Sequence, residues 1–287
     1  MGRRPEAAPL SFQRRWTMNK LQHYLDRHDE IPGWLDAYSA RFIADVSRIQ
    51  LEGGARGGVG EIGVHMGRLF ILLKLLTTIG ERAVAIDVFK DQHLNLDDSG
   101  HGDEAQFRAN LERWASSYDV TVIQRSSLDV TGAEIIAAVG RCRLFSIDGG
   151  HTAECALNDL RLADEILDDC GVAILDDYFN QSWPDVSVGA ARFLNDETTR
   201  LRPFAITPNK LYLARPDFHP VYSAILRASQ GDYFEKDSRM LDWPVGIFGV
   251  EPRTHRLAKR LKIWAKASPA GPYLLQARDR LRATMGQ

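Results

Sequence analysis

The chain has 287 residues, 44% of them hydrophobic and 26% charged, enough to bury a full core as one domain with appendages. A net charge of -2, from 36 basic against 38 acidic residues, sets up no chain-wide field that would recruit nucleic acid or an anionic membrane. No membrane span or secretory leader is expected: the N-terminus lacks an apolar run, and the most hydrophobic segment, LFILLKLLTTIG from Leu69, is broken by Lys74 and too short for a bilayer.

In chain order, residues 1–50 read as a helical N-terminal cover, with Trp34, Leu35, Tyr38 and Phe42 at helical spacing. The pattern then changes to short apolar runs: GVGEIGV (58–64), AVAIDVF (83–89), VTVIQ (120–124), CRLFSID (142–148) and GVAILDD (171–177). Helical periodicity separates most of them. That alternation predicts an α/β fold, five parallel strands in a doubly wound sheet covered on both faces. RPFAITP (202–208) and KLYLAR (210–215), separated only by Asn209, predict a tight antiparallel hairpin at one sheet edge. The core domain is thus expected over residues 51–215, followed by a helical C-terminal extension over 216–287. From Glu251 that extension holds nine Lys or Arg against two acids. There Leu257, Leu261 and Trp264 share a helical face, and Arg256, Lys259, Arg260 and Lys262 populate the others, the pattern of a solvated face on a packing helix in preference to a grip on an anionic partner or membrane surface.

Cys142, Cys155 and Cys170 have no CxxC pairing and fit neither a zinc site nor a disulfide framework, so reduced, buried thiols in a cytoplasmic protein are expected. Gly58, Gly60 and Gly63 match GxGxxG, with Asp87 at the distance of an acidic ribose ligand. A dinucleotide fingerprint must follow a strand, however, and here the glycines lie inside one. Shifted one step, the strand ends in Glu61-Ile62-Gly63-Val64, and His65-Met66-Gly67 turns into a helix from Arg68. Glycines at that turn let a ligand approach the backbone, and the helix N-terminus offers N–H groups to a carboxylate. A nucleoside bearing an amino-acid tail suits that place. Asp87, at the neighbouring strand tip, could accept both ribose hydroxyls or could cap a helix.

Asp148 ends the fourth predicted strand and Asp176-Asp177 end the fifth, so in a doubly wound sheet these carboxylates line one crevice. Such a cluster is costly unless neutralised, and a hard divalent cation such as Mg²⁺ does so. His151 lies one turn beyond Asp148 and can serve the same crevice. Taken singly, Asp148 could shape a turn and Asp177 could cap the next segment; what points to function is their joint position at strand tips.

With these residues in view, EIGVHMG, AIDVF, SIDGGH, ILDDY and NKLYLAR resemble the class I S-adenosylmethionine-dependent methyltransferases. More narrowly they are similar to the metal-dependent branch that O-methylates sugars in macrolide and polysaccharide biosynthesis. The resemblance covers about Gly58 to Arg215 and implies a Rossmann-like seven-stranded sheet with an antiparallel terminal hairpin. FKDQHLNLDDSGHGDEAQF (89–107) resembles the insertion that covers cofactor and substrate in such enzymes.

The resemblance assigns Glu61, Gly63 and Gly67 to the first cofactor motif and Asp87 to the ribose, and puts Ser127 and Asp129 near the adenine. It makes Asp148, Asp176 and Asp177 the metal ligands and His151 the general base, with aspartate at 176 where some relatives carry glutamate. The implied cofactors are S-adenosylmethionine and Mg²⁺ or another hard divalent cation. The implied acceptor is a small sugar or oligosaccharide, such as a mannose polysaccharide precursor or glycosylated natural product. A homodimer or higher homo-oligomer is expected, with Trp16, Trp34, Trp243 and Trp264 available for its interface or for an acceptor wall. A catechol-type enzyme is the alternative acceptor class, disfavoured because a phenol commonly uses a lysine base. From other classes, a nicotinamide-dependent oxidoreductase conflicts with the misplaced glycines, and a non-catalytic S-adenosylmethionine-binding protein has no use for the acidic cluster and His151.

Overall fold

The computed structural model describes residues 10–255, with side chains from residue 19 onward. The basic face around Arg256, Lys259, Arg260 and Lys262 and its apolar partners Leu257, Leu261 and Trp264 lie outside the described residues, as does the side chain of Trp16.

Helix α1 (Leu10–Arg27) leads to α2 (Ala37–Glu52), which begins where the Asp36 carboxylate accepts hydrogen bonds from the Tyr38 and Ser39 amides. The core domain follows with β1 (Gly58–Ile62), α3 (Arg68–Leu75), β2 (Ala83–Asp87), α4 (Glu104–Trp114), β3 (Val120–Gln124) and α5 (Gly132–Val139). It continues through β4 (Cys142–Ile147), α6 (Ala153–Ile166), β5 (Leu167–Leu175), α7 (Pro184–Asn195) and the hairpin β6 (Arg202–Thr207) and β7 (Lys210–Ala214). Last come α8 (His219–Ser229), β8 (Phe234–Met240) and β9 (Trp243–Phe248).

Among the described residues the strands form one sheet in the order β3-β2-β1-β4-β5-β7-β6-β9-β8. The first five are parallel to their neighbours, and β7 lies antiparallel between β5 and β6. The five apolar runs and the hairpin thus appear where the sequence put them. The hairpin is not an edge, however, because β9 pairs with β6 and carries β8 beyond it. The helical extension expected over 216–287 holds, among the described residues, two strands as well: α8 is followed by β8 and β9. The sequence of β8, FEKDSRM, is charged and largely exposed, so it carries little of the apolar signal by which a strand is read. The attachment is slight, two residue pairs between β6 and β9, Ala205 with Gly246 and Ile206 with Ile247. The imidazole Nε2 of His219 reinforces it, within 3.0 Å of the Pro203 carbonyl and 2.8 Å of the Pro244 carbonyl.

Helices cover both faces and make two cores. One packs α1, α2, α3, α4 and α8 on the sheet through residues such as Tyr24, Phe42, Phe70, Phe107 and Tyr222. The other packs α5, α6 and α7 through Ile135, Leu160, Ala163 and Phe193. Aromatic contacts join the chain's two ends: Phe42 meets Phe248 at 5.1 Å, and Tyr38 stacks on Tyr233 at 4.5 Å. Cys142 and Cys155 are buried free thiols as expected, while Cys170 is half-buried.

The first core contains one buried charge network. Arg143, fully buried on β4, donates to both Glu81 carboxylate oxygens at 2.8 and 3.0 Å, to Ser47 Oγ at 2.9 Å, to Gln50 Oε1 at 3.1 Å and to the Leu76 carbonyl at 2.8 Å. Burial would raise the Glu81 carboxyl, but the hydrogen bonds from Arg143 hold it below its usual range. The network ties α2 and the end of α3 to the sheet at the end opposite the strand tips. Glu81→Ala leaves the guanidinium buried without its counter-charge and is expected to cost roughly 3–5 kcal/mol in denaturant unfolding. A loss below about 1 kcal/mol would show that the pair holds nothing together.

Candidate active site

The order of strands reverses between β1 and β4, and there a cavity of about 490 Å³ opens at the C-terminal strand ends, the place where open α/β sheets bind ligands and a volume suited to a small molecule. Backbone hydrogen bonds set the tips in step: Gly63 N donates to the Ile86 carbonyl, Asp148 N to that of Ile62, and Asp176 N to that of Ile147. Gly63 is required where β1 passes β4. Its φ is +81°, and an added Cβ would stand 1.6 Å from the Asp148 carbonyl oxygen.

The residues expected to hold the cofactor separate into three groups. Gly63, Asp87 and Ser127 line the cavity. Asp87 accepts hydrogen bonds from the His65 amide at 2.7 Å and the Phe89 amide at 2.6 Å, holding the turns after β1 and β2. It keeps further lone pairs for a ligand. Glu61 and Gly67 stand behind the lining: Gly67 starts α3 with φ +91° against Phe107, and Glu61 is buried in β1 with Oε2 unpartnered. Burial, reinforced by the Asp148 charge, pushes the Glu61 carboxyl well above its usual range. Asp129 is exposed and lies outside the lining, at the end of a short turn whose start is capped by Ser126; Ser126 and Arg125 line the cavity instead.

Asp148, His151 and Asp177 come together, with one ligand atom from each within 4.8 Å of the others. Burial, and then the neighbouring Asp176, raise the Asp148 carboxyl well above its ordinary value. Asp177 is held in the left-handed region at φ +55°, the kind of local strain that functional sites retain. Asp176 also lines the cavity, but its carboxylate is engaged. It forms a buried ion pair with Lys210 and accepts from Asn209 Nδ2 at 2.8 Å and from the Asp177 amide at 2.9 Å. The three expected metal ligands are therefore adjacent but not equivalent. Two face the cavity with His151, and the third is tied to a buried ammonium.

His151 lies between two carboxylates, Nδ1 at 2.9 Å from Asp97 Oδ2 and Nε2 at 2.9 Å from Asp177 Oδ2. Its ring stacks on Trp183 with centroids 4.3 Å apart. Burial alone would lower its pKa, but the hydrogen bond to Asp177 and the Asp148 and Asp97 charges raise it to about 9. Asp177 responds in kind: burial would raise it, yet the bonds from His151, Asn180 and Asn209 hold it at about 2. Sequence reasoning missed Asp97, Trp183, Asn209 as a donor, and Lys210. Lys210 stood in view as the first residue of a predicted strand, opposite the tip of another. Asp97 carried no signal, being 54 positions from His151 in an insertion.

A cation fits this donor set. Asp148 and Asp177 offer hard carboxylate oxygens, His151 already serves as a positive charge between Asp97 and Asp177, and Mg²⁺ is commonly held by one or two carboxylates with water completing its sphere. At the mouth, Trp34 and Leu96 line the cavity while remaining 72% and 63% exposed.

Residues 61–178 match the family model described as a methyltransferase domain. No curated protein sequence is significantly similar to the chain. Among solved structures, the O-methyltransferase NovP aligns with a TM-score of 0.53 at 14% identity, over 70% of this chain and 98% of that one. An O-methyltransferase from Bacillus cereus in complex with SAH aligns at 0.49 and 19% identity, over 69% and 91% of the two chains. The calicheamicin methyltransferase CalS11 aligns at 0.48 and 16%, over 74% and 99%. At such identity the likeness to NovP is one of fold. The segment from Glu61 to Tyr178, which carries the cavity's acids and His151, is the part that matches the methyltransferase domain, and the fold around it is that of NovP. The nicotinamide reading is thereby set aside. Among the described residues no helix is long and apolar enough to cross a membrane.

The two pKa shifts of the ion pair act in opposite pH windows. His151, raised from about 6.5 to about 9, contributes stability that is fully present below pH ~6.5 and lost as pH rises through 9. Asp177, depressed to about 2, contributes stability that is present above pH ~4 and lost as pH falls toward 2. Metal-free protein is expected to lose up to roughly 3 kcal/mol between pH ~6.5 and ~9, a loss that His151→Ala removes. Denaturant melts across that range check it, and superimposable pH profiles for the two proteins would contradict the pair.

Proposed function

We propose that this methyltransferase domain transfers the methyl group of S-adenosylmethionine to a hydroxyl of a sugar or oligosaccharide, with a divalent cation in the site and His151 as general base. The observation that carries this reading is the meeting of Asp148, His151 and Asp177 within 4.8 Å at the tips of β4 and β5, in the cavity that Asp87, Gly63 and Ser127 also line.

In this reading Asp87 takes the ribose, Ser126 and Ser127 flank the adenine, and the turn after Gly63 receives the amino-acid tail. Glu61 sets the charge beneath that turn. Asp148 and Asp177 hold the cation, with Asp176 as the third carboxylate beside them. A hard divalent cation bound there lowers the pKa of a neighbouring hydroxyl and fixes its position. A sugar hydroxyl needs that help, because it is a poor nucleophile at neutral pH.

With Asp177 engaged by a cation, His151 would lose the partner of its Nε2 proton and could serve as a neutral base on that nitrogen. The acceptor oxygen forms its bond to the methyl carbon as the carbon–sulfur bond breaks; the sulfonium becomes a neutral thioether, and the hydroxyl proton passes to His151. The remaining task is alignment, bringing oxygen and carbon within about 3–3.5 Å on one line. Lys210 does not offer a phenol-type lysine base, because it is buried and paired with Asp176. The likeness in fold to the O-methyltransferase NovP supports a hydroxyl acceptor.

Calorimetric titration is expected to show binding of S-adenosylmethionine and no binding of nicotinamide dinucleotides. Turnover of a sugar from an acceptor panel is expected to require Mg²⁺ and to fall roughly 10²–10⁴-fold in His151→Ala, with cofactor affinity unchanged. Full turnover in the presence of a chelator, or in His151→Ala, would refute the mechanism while leaving the domain a methyltransferase.

A further inference from the structure

Asp97 belongs to the segment between β2 and α4, where its neighbours Leu96 and Ser99 line the cavity, and its carboxylate reaches His151 from behind that lining. One oxygen, Oδ2, accepts both the His151 backbone N–H at 2.5 Å and the imidazole Nδ1–H at 2.9 Å. The other, Oδ1, accepts the Ser99 amide at 3.0 Å, so the carboxylate cannot turn without breaking a bond. Asn95 supports the same loop, donating to the Ser99 carbonyl at 2.8 Å and to Gln92 Oε1 at 3.0 Å. The side chains of Asp97 and His151 are each only 11% exposed, which keeps water from competing for the bond. Trp183 closes one face of the imidazole.

We infer that Asp97 is the positioning residue of His151: it fixes the imidazole as the Nδ1–H tautomer and aims Nε2 at the reacting hydroxyl. The inference rests on the reading of His151 as the base. A base whose far nitrogen is held by a third group is the arrangement by which hydroxyl nucleophiles are activated on unrelated folds. Here the third group comes from the insertion that covers the cavity rather than from the sheet. Without it, the ring of a neutral histidine would choose freely between tautomers, and only one leaves a lone pair on Nε2. Trp183 restricts ring rotation but cannot select the tautomer, since it offers the imidazole only its aromatic face.

Asp97→Asn tests this, because an amide cannot reproduce both contacts. If its NH₂ faces Ser99, two donors meet and the loop bond is lost. If it faces His151, the proton is forced onto Nε2 and the base is disabled. Turnover with Mg²⁺ and a sugar acceptor is measured for wild type, Asp97→Asn, His151→Ala and the double variant, with S-adenosylmethionine affinity by calorimetry and thermal melting as a check on folding. Asp97→Asn is expected to lower kcat roughly 10–100-fold while the acceptor KM and cofactor affinity stay near wild type. In the His151→Ala background it is expected to cost nothing further. Three results would overturn the inference: an unchanged kcat in Asp97→Asn beside an impaired His151→Ala, a loss confined to KM, or losses that multiply in the double variant. Full turnover in His151→Ala alone is recognised separately, as failure of the base assignment itself, and the inference falls with it.

Discussion

A single buried ammonium carries the electrostatics of the strand tips. Glu61, Asp148 and Asp176 crowd together at the strand tips, where like charges repel and the carboxyls of Glu61 and Asp148 are pushed well above their usual range. Lys210 is the positive charge within that region. Burial would drain its charge, but Asp176 and Asp148 raise its pKa instead, so it stays an ammonium. The placement follows from topology. Because β7 runs antiparallel to β5, it begins where β5 ends, and its first residue meets the first residue beyond β5. In a parallel strand the start would lie at the opposite end of the sheet. The hairpin that departs from the parallel pattern is therefore what delivers a cation to the tips.

That neutralisation is incomplete by design of the residues themselves, and the remainder explains the rest of the site. With Lys210 committed to Asp176, the charges on Asp148 and Asp177 are left facing the cavity, and His151 answers them from the side. In this structure the histidine holds that position, its Nε2 at 2.9 Å from Asp177 Oδ2. On the proposed reading, a cation and the imidazole would compete for Asp177, and the site would free its base only on being loaded.

Much of this was legible in the sequence, for definable reasons. The parallel strands were visible because both their faces are buried, which leaves unbroken apolar runs, and their order in a doubly wound sheet made the tip residues Asp87, Asp148, Asp176 and Asp177 neighbours. Gly63 could be singled out because a glycine at a strand-to-helix turn permits close backbone approach, although what approaches it is the Asp148 carbonyl of β4's tip. What stayed hidden depended on contacts that no local pattern encodes. Asp97 reaches His151 from a loop without periodicity, and Trp183 finds the imidazole only after β5 and α7 are placed. The partition of the acids, with Asp176 on Lys210 and Asp177 on His151, depends on which way two adjacent side chains turn. β8 escaped because this exposed edge strand is written in charges, which also discourage pairing with another chain.

The aromatic contact of Phe42 with Phe248, and of Tyr38 with Tyr233, has a consequence for how the chain is made. These pairs join a helix from the first fifth of the sequence to strands and turns from the last. During synthesis α2 emerges early, and the parts of its aromatic face that meet Tyr233 and Phe248 are covered only after β7 has been translated. Such contacts close long loops and so form late. The two appendages, which look like independent additions at opposite ends of a methyltransferase core, thus mature as one unit, and a truncation designed at either end would strip the other of its cover.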